Sequence, residues 1–173
     1  MYDIDFSIAY WLSTYYHFVG VISLVMDMFS IYLIVFQSDK IDDFRYFLLN
    51  FQVACAFTDF HLTGLTQPVP LYPLLAGYVM GVGARFGVTT HFAMTGISFF
   101  FSYQIGAMII CFVRKHQSIA GTLKRYLIPK FLLFFMLLYF VTFVLSVPGI
   151  LSTLNIPESQ KLEFVKLVRP QAL

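Results

Sequence analysis

Charge is scarce in this chain: only 12% of its 173 residues are Asp, Glu, Lys or Arg, against 59% hydrophobic residues and a mean hydropathy of +0.78. So little charge cannot hydrate the surface of a soluble domain, so the composition excludes an ordinary globular protein and makes lipid part of the solvent. Catalytic signatures are missing as well. No phosphate-binding loop, nucleophile elbow, zinc-ligand pair, dinucleotide fingerprint or HExxH occurs, so neither an enzyme, a cofactor, a metal site nor a nucleic-acid partner is expected. Cysteine is limited to Cys55 and Cys111. Both fall inside apolar segments, where a bridge would staple two helices within lipid, and they are read as separate buried thiols. The first residues hold Asp3 and Asp5 but no Lys or Arg, which does not fit a cleaved secretory signal; the first apolar span is expected to serve as the targeting signal.

What the sequence has is long apolar runs. They predict an all-α, polytopic transmembrane bundle in one membrane domain, with four spans at about 15–36, 47–66, 92–113 and 131–150 and an external tail at 151–173. The third run sets the orientation. Residues 92–113 carry no charged side chain and end abruptly on Arg114, Lys115, His116 and Gln117, and adjacent cations at the edge of a span resist translocation. Residues 114–130 are therefore predicted to be a cytoplasmic loop. It contains Arg114, Lys115, His116, Lys124, Arg125 and Lys130 and no acid, a composition explained by topology and attraction to anionic lipid, or by a surface that couples to a protein. Lys40 and Arg45 place residues 37–46 on the same side, so the N-terminus and the tail fall outside. Between the second and third spans, Pro68, Pro70 and Pro73 end a helix, and Gly77, Gly81, Gly83 and Gly87 follow, predicting an external loop with a short interfacial or re-entrant piece. Trp11, Tyr15 and Tyr16 stand where an outer aromatic belt would lie.

Within the spans, polar and small residues recur at helical spacing: Gly20, Ser23, Asp27 and Ser30 in the first; Gln52, Ala56, Asp59, Thr63 and Thr66 in the second; His91, Thr95, Ser98, Ser102 and Gly106 in the third. Each stripe is expected to face the protein, because polar side chains glue membrane helices together rather than face lipid. Asp27, Asn50 and Asp59 are accordingly predicted to be buried polar residues. Asp27 is either a structural contact or a sensing or ion-binding group, and Asp59 either a bundle contact or part of a hydrated relay. His91 has no partner at metal-ligand spacing in His17, His61 or His116, and is read as a polar group near the outer interface. The fourth span carries Tyr139, Thr142, Ser146 and Gly149 on one face.

The strings YYHFVGVISL at 15–24, KIDDFRYFLLNFQ at 40–52, TDFHLTGLTQPVPLYPLLAGY at 58–78, TH at 90–91, CFVRKHQSIA at 111–120 and IPK at 128–130 resemble the nematode serpentine receptors of class I, the Sri family. The resemblance implies a seven-transmembrane, G-protein-coupled chemosensory receptor at the plasma membrane of a sensory cell. It also implies an external small-molecule ligand and a heterotrimeric G protein as partners beside the lipid bilayer. On this reading four of seven spans are present and the chain is a truncated or partial form, resembling the N-terminal half of a receptor. His91, Thr95 and Ser98 would contribute to a ligand pocket, and Arg114, Lys115, His116 and Gln117 to a cytoplasmic coupling face. Asp27 stands where the family usually carries Asn. The DRY triplet of rhodopsin-like receptors is absent after the third span, and Arg114 is the candidate for an analogous role. The alternative is a non-signalling four-span membrane protein or a degenerate receptor remnant.

Overall fold

The computed structural model describes residues 7–37, 44–71, 76–123 and 127–154. Lys40, Lys124, Arg125 and the tail beyond Leu154, which entered the expected topology, lie outside them. The elements run α1 (Ser7–Phe36), α2 (Phe44–Phe60), a π-helical turn (His61–Thr66), β1 (Pro68–Leu71), β2 (Ala76–Val79), α3 (Val82–Arg85), α4 (Thr90–Leu123) and α5 (Lys130–Thr153). α2 packs between α1 and α4, and α5 packs on α4. Among the described residues, three helical segments are long and apolar enough to cross a membrane: Tyr10–Phe36, Thr90–Leu123 and Lys130–Thr153. α2, with 17 residues, approaches spanning length only when its π-helical continuation to Thr66 is added.

Outward faces of the helices are apolar. Phe18, Val25, Phe29, Phe112, Phe134 and Leu145 are all more than half exposed, the arrangement a bundle adopts when its surroundings are hydrocarbon rather than water.

Two differences from the expected outline have local causes. The helix carrying Arg114 does not stop there; α4 continues another nine residues to Leu123. Arg, Lys, Gln, Ala and Leu all favour helix, and no proline intervenes, so the cations do not end the helix. Thirty-four residues rise about 50 Å, well beyond a hydrocarbon core of about 30 Å. Between α2 and α4 the chain forms an antiparallel hairpin pairing Pro68 with Val79 and Pro70 with Gly77. Prolines two residues apart put both missing N–H groups on one edge of β1, leaving the other edge able to donate. Val69 and Val79 are buried, seating the hairpin on the end of the bundle.

The switch from helix to hairpin turns on Gln67. Its φ of 43° is left-handed, its N–H donates to the Leu62 carbonyl at 2.9 Å, and Pro68 next to it cannot continue a helix. α5 begins as directly: Pro129, extended at ψ 147°, stands before it, fixing the backbone at the helix entry. Pro148 lies inside α5, where its missing hydrogen bond is tolerable near the end of a span.

Candidate functional site

The helical stripes determine what meets what. Gly20, Ser23 and Asp27 of α1 are three and four residues apart and meet the stripe of α2 and its continuation. A Cβ on Gly20 would come within 2.7 Å of Thr63 Oγ1, so the absence of a side chain there lets the two helices approach. One turn further, Ser23 Oγ donates to Asp59 Oδ2. One turn beyond that, Gln52 Nε2 donates to Asp27 Oδ1 at 2.8 Å, and Asp27 is 9% exposed. Both carboxyls are thus held by a polar partner from the opposite helix, which is what a carboxyl at membrane depth requires.

Beside this seam lies a cavity of about 310 Å³. Tyr16, His17 and Asp27 line it from α1, and Asp59, Thr63 and Gly64 from the other side. Its wall is largely apolar, with Val21, Leu24 and Ile31 contributing, so the few polar atoms stand out as fixed points for a ligand. Two carboxyl groups, an imidazole and a phenol make it rich in hydrogen-bond acceptors.

Above the cavity, Gln67 ties three elements together. Its side chain is 2% exposed. Ser13 Oγ donates to its Oε1 at 3.2 Å, its Nε2 donates to the Thr63 carbonyl at 2.7 Å, and the same nitrogen lies 3.5 Å from His17 Nε2. Met80 N donates to its carbonyl at 3.2 Å. Tyr16, read from sequence as part of an aromatic belt, donates its hydroxyl to the Pro68 carbonyl at 3.1 Å and so fastens α1 to the hairpin. Sequence reasoning missed Gln67, Ser13 and His17 as a group. The glutamine follows the polar stripe of α2 by one position, and the left-handed turn that swings it back toward α1 leaves no mark in helical periodicity.

His91, Thr95 and Ser98 lie in the first turns of α4. Thr95 Oγ1 donates to the His91 carbonyl at 2.9 Å and Ser98 Oγ to the Thr95 carbonyl at 2.8 Å, so both hydroxyls bond their own helix. None of the three lines the α1–α2 cavity. His61 meets α4 at Gly96 instead: a Cβ on Gly96 would stand 2.8 Å from His61 Nε2, and His61 Nδ1 lies 3.0 Å from Thr66 Oγ1. Asn50, expected among the buried polar residues, is exposed. Its Oδ1 accepts from Tyr103 OH of α4 at 2.9 Å; it sits on the opposite side of α2 from the α1 contact, so it does not join Asp27 and Asp59. Cys55 and Cys111 are both free thiols: Cys55 meets Gln104 Nε2 at 3.2 Å, and Cys111 donates to the Phe47 carbonyl at 3.0 Å.

At the other end of α4, the Arg114 guanidinium lies 4.6 Å from the centre of the Phe47 ring, a cation–π contact that fixes it against the start of α2. Lys115 and His116 are exposed. Gln117 Nε2 donates to the Ile128 carbonyl at 3.2 Å, drawing the segment before α5 onto α4. These four residues occupy one end of the bundle, and Gln67 with the hairpin occupies the other.

No curated protein and no solved structure matches the chain. The family model for the serpentine-type seven-transmembrane GPCR chemoreceptors named Sri matches residues 2–173, almost the entire sequence. An all-α helical membrane bundle is consistent with that family, and the chain belongs to the Sri family of serpentine chemoreceptors.

Proposed function

We propose that the chain acts in detection of an external small molecule, taken up at the hairpin end of the bundle and reported to a heterotrimeric G protein at the Arg114 end. Membership of a chemoreceptor family is the observation that carries this reading; the two-ended distribution of polar groups supports it. Of the sites on the hairpin side, the α1–α2 cavity is the better candidate for the ligand, because its polar groups come from two elements and face an open volume. An acceptor-rich, mostly apolar cavity suits a small, largely hydrophobic molecule bearing one or two hydrogen-bond donors. His91, Thr95 and Ser98 would contribute only as α4 moves. The N-terminus would lie outside, with four spans and the chain at the plasma membrane.

The orientation has its own test. Gly121 is exposed and nothing lies within 4 Å of a Cβ placed on it, so Gly121→Cys should not perturb packing. A membrane-impermeant thiol reagent is expected to leave this cysteine unlabelled in intact cells and to label it after permeabilisation. Labelling in intact cells would reverse the topology.

For function, the chain is to be expressed alone and joined to the three later helices of a class relative, each with a promiscuous G protein and a broad odorant panel. The joined form is expected to give a ligand-dependent response, reduced at least tenfold in potency by Asp59→Ala and in amplitude by Lys115→Ala with His116→Ala. The 173-residue chain by itself is expected to give none, since four helices lack the closed, two-state bundle that ligand and G protein bias differently. A response insensitive to these substitutions would place ligand and coupling elsewhere.

A further inference from the structure

We propose that the cleft between α4 and α5 is a binding site for an anionic phospholipid, with its acyl chain between the helices and its phosphate between Arg114 and Lys130. The cleft has a volume of about 580 Å³. Ile110 and Val113 of α4 and Leu133, Leu137 and Phe140 of α5 form its walls. It is almost entirely apolar along its length, and its two charged lining residues, Arg114 and Lys130, both belong to the end where α4 leaves the hydrocarbon. An apolar slot closed by two cations at the membrane surface matches the chemistry of a lipid tail followed by a phosphate. A soluble anion would not need the slot, and a neutral lipid would not need the cations.

Three details bear on the occupant. Gly106 gives the cleft its floor: a Cβ there would overlap the ring of Phe140, so α4 and α5 close tightly at this level and the space opens toward Arg114. Arg114 is fixed on the Phe47 ring while it remains exposed, leaving guanidinium N–H groups to meet a phosphate. Lys130 is the first residue of α5, where the helix dipole disfavours a cation. Helix stability therefore does not account for its charge, whereas a phosphate at this position is favoured by both the lysine and the dipole. The segment from 114 to 130, free of acidic residues, adds a diffuse attraction for the same leaflet. The inference goes beyond the chemoreceptor reading and requires neither signalling nor a particular orientation.

The test uses the purified 173-residue chain in micelles doped with phosphatidylglycerol or phosphatidylcholine, with retained lipid counted by native mass spectrometry. One phosphatidylglycerol is expected to be retained at least about fivefold over phosphatidylcholine, the advantage of a single well-placed cation. Lys130→Gln, an exposed residue whose loss relieves the helix terminus, should remove about fivefold of that preference. Lys115→Gln, at the same end but outside the cleft lining, should remove only the small share owed to diffuse attraction, less than about twofold. Leu137→Trp, which fills the slot, should lower retention of both lipids. Equal retention of the two lipids would overturn the proposal. So would equal losses in Lys130→Gln and Lys115→Gln, which would indicate attraction by the whole basic segment. A lipid-free dimer would give the cleft to a second copy, and unchanged lipid retention in Leu137→Trp would place the lipid elsewhere.

Discussion

Gly81→Ala is expected to detach the hairpin from the bundle and lower the melting temperature of the detergent-solubilised protein by about 6 to 12 °C, the equivalent of about 3 kcal/mol for a chain of this size. Gly81 is buried, and a Cβ on it would press into the carbonyl of Leu65 and come within 2.7 Å of the Thr66 nitrogen. Those are backbone atoms of the π-helical turn, so no side-chain rotation relieves the overlap. Gly81 N also donates to the Thr66 carbonyl at 3.0 Å, so any shift that makes room breaks the bond that docks β2. With the hairpin displaced, Val69 and Val79 lose their cover and Gln67 its bond from Met80. Tyr16, which lines the cavity, then loses its bond to the Pro68 carbonyl, and ligand responses in the joined receptor should fall with stability. Gly121→Ala serves as the control, because an open helical site should gain up to about 1 kcal/mol from the same change. Equal melting temperatures for Gly81→Ala and the unmodified protein would mean that the hairpin contributes nothing to the fold.

The contrast between those two glycines also marks what the sequence can reveal. Periodicity placed Gly20, Ser23 and Asp27 on one face and Gln52, Asp59 and Thr63 on another, and these faces meet, because polar groups in lipid have few alternatives to each other. Ser102 and Gly106 of α4 are buried by the same logic. The rule fails for α5. Tyr139, Thr142, Ser146 and Gly149 are all exposed, while Val144 is buried and Phe140 packs against Gly106, since the shape of that glycine notch selects an aromatic ring over a polar stripe. Thr142 and Ser146 can face outward because each bonds a carbonyl of its own helix, at 2.9 and 3.0 Å. Asn50 escaped the burial rule for a comparable reason: its partner, Tyr103, lies on a different helix from the one the stripe faces.

Chain direction was the least legible feature. Proline is a poor strand former, yet Pro68 and Pro70 lie in β1 because their spacing spares one edge. Gln67 adopts a left-handed conformation that a non-glycine residue enters at a cost of about 1 kcal/mol or more, and the four side-chain and backbone bonds it gains there are contributed by residues from three separate segments. Such a balance depends on the assembled tertiary structure and cannot be read from a local window.

Gln52→Leu is expected to reduce the yield of correctly folded protein several-fold, and pairing it with Asp27→Leu should restore most of the loss. Gln52 Nε2 donates to Asp27 Oδ1 at 2.8 Å; removing the amide leaves a buried carboxyl without that donor, at a cost of about 1 to 3 kcal/mol, whereas removing both partners leaves two apolar side chains in contact. Asp27→Asn isolates the role of the charge. The asparagine carbonyl oxygen can still accept from Gln52, and the change removes a side chain whose placement at the centre of a span costs about 2.5 to 3.5 kcal/mol on insertion scales. If Asp27 is a structural contact, Asp27→Asn should insert as well as the unmodified chain or better, measured as the glycosylated fraction of a reporter fused to α1 or as surface yield of the joined receptor. Ligand responses should then persist as well. Reduced insertion in Asp27→Asn, or normal insertion with loss of response, would show that the carboxylate itself is needed, and the seam between α1 and α2 would then be a sensing element in its own right.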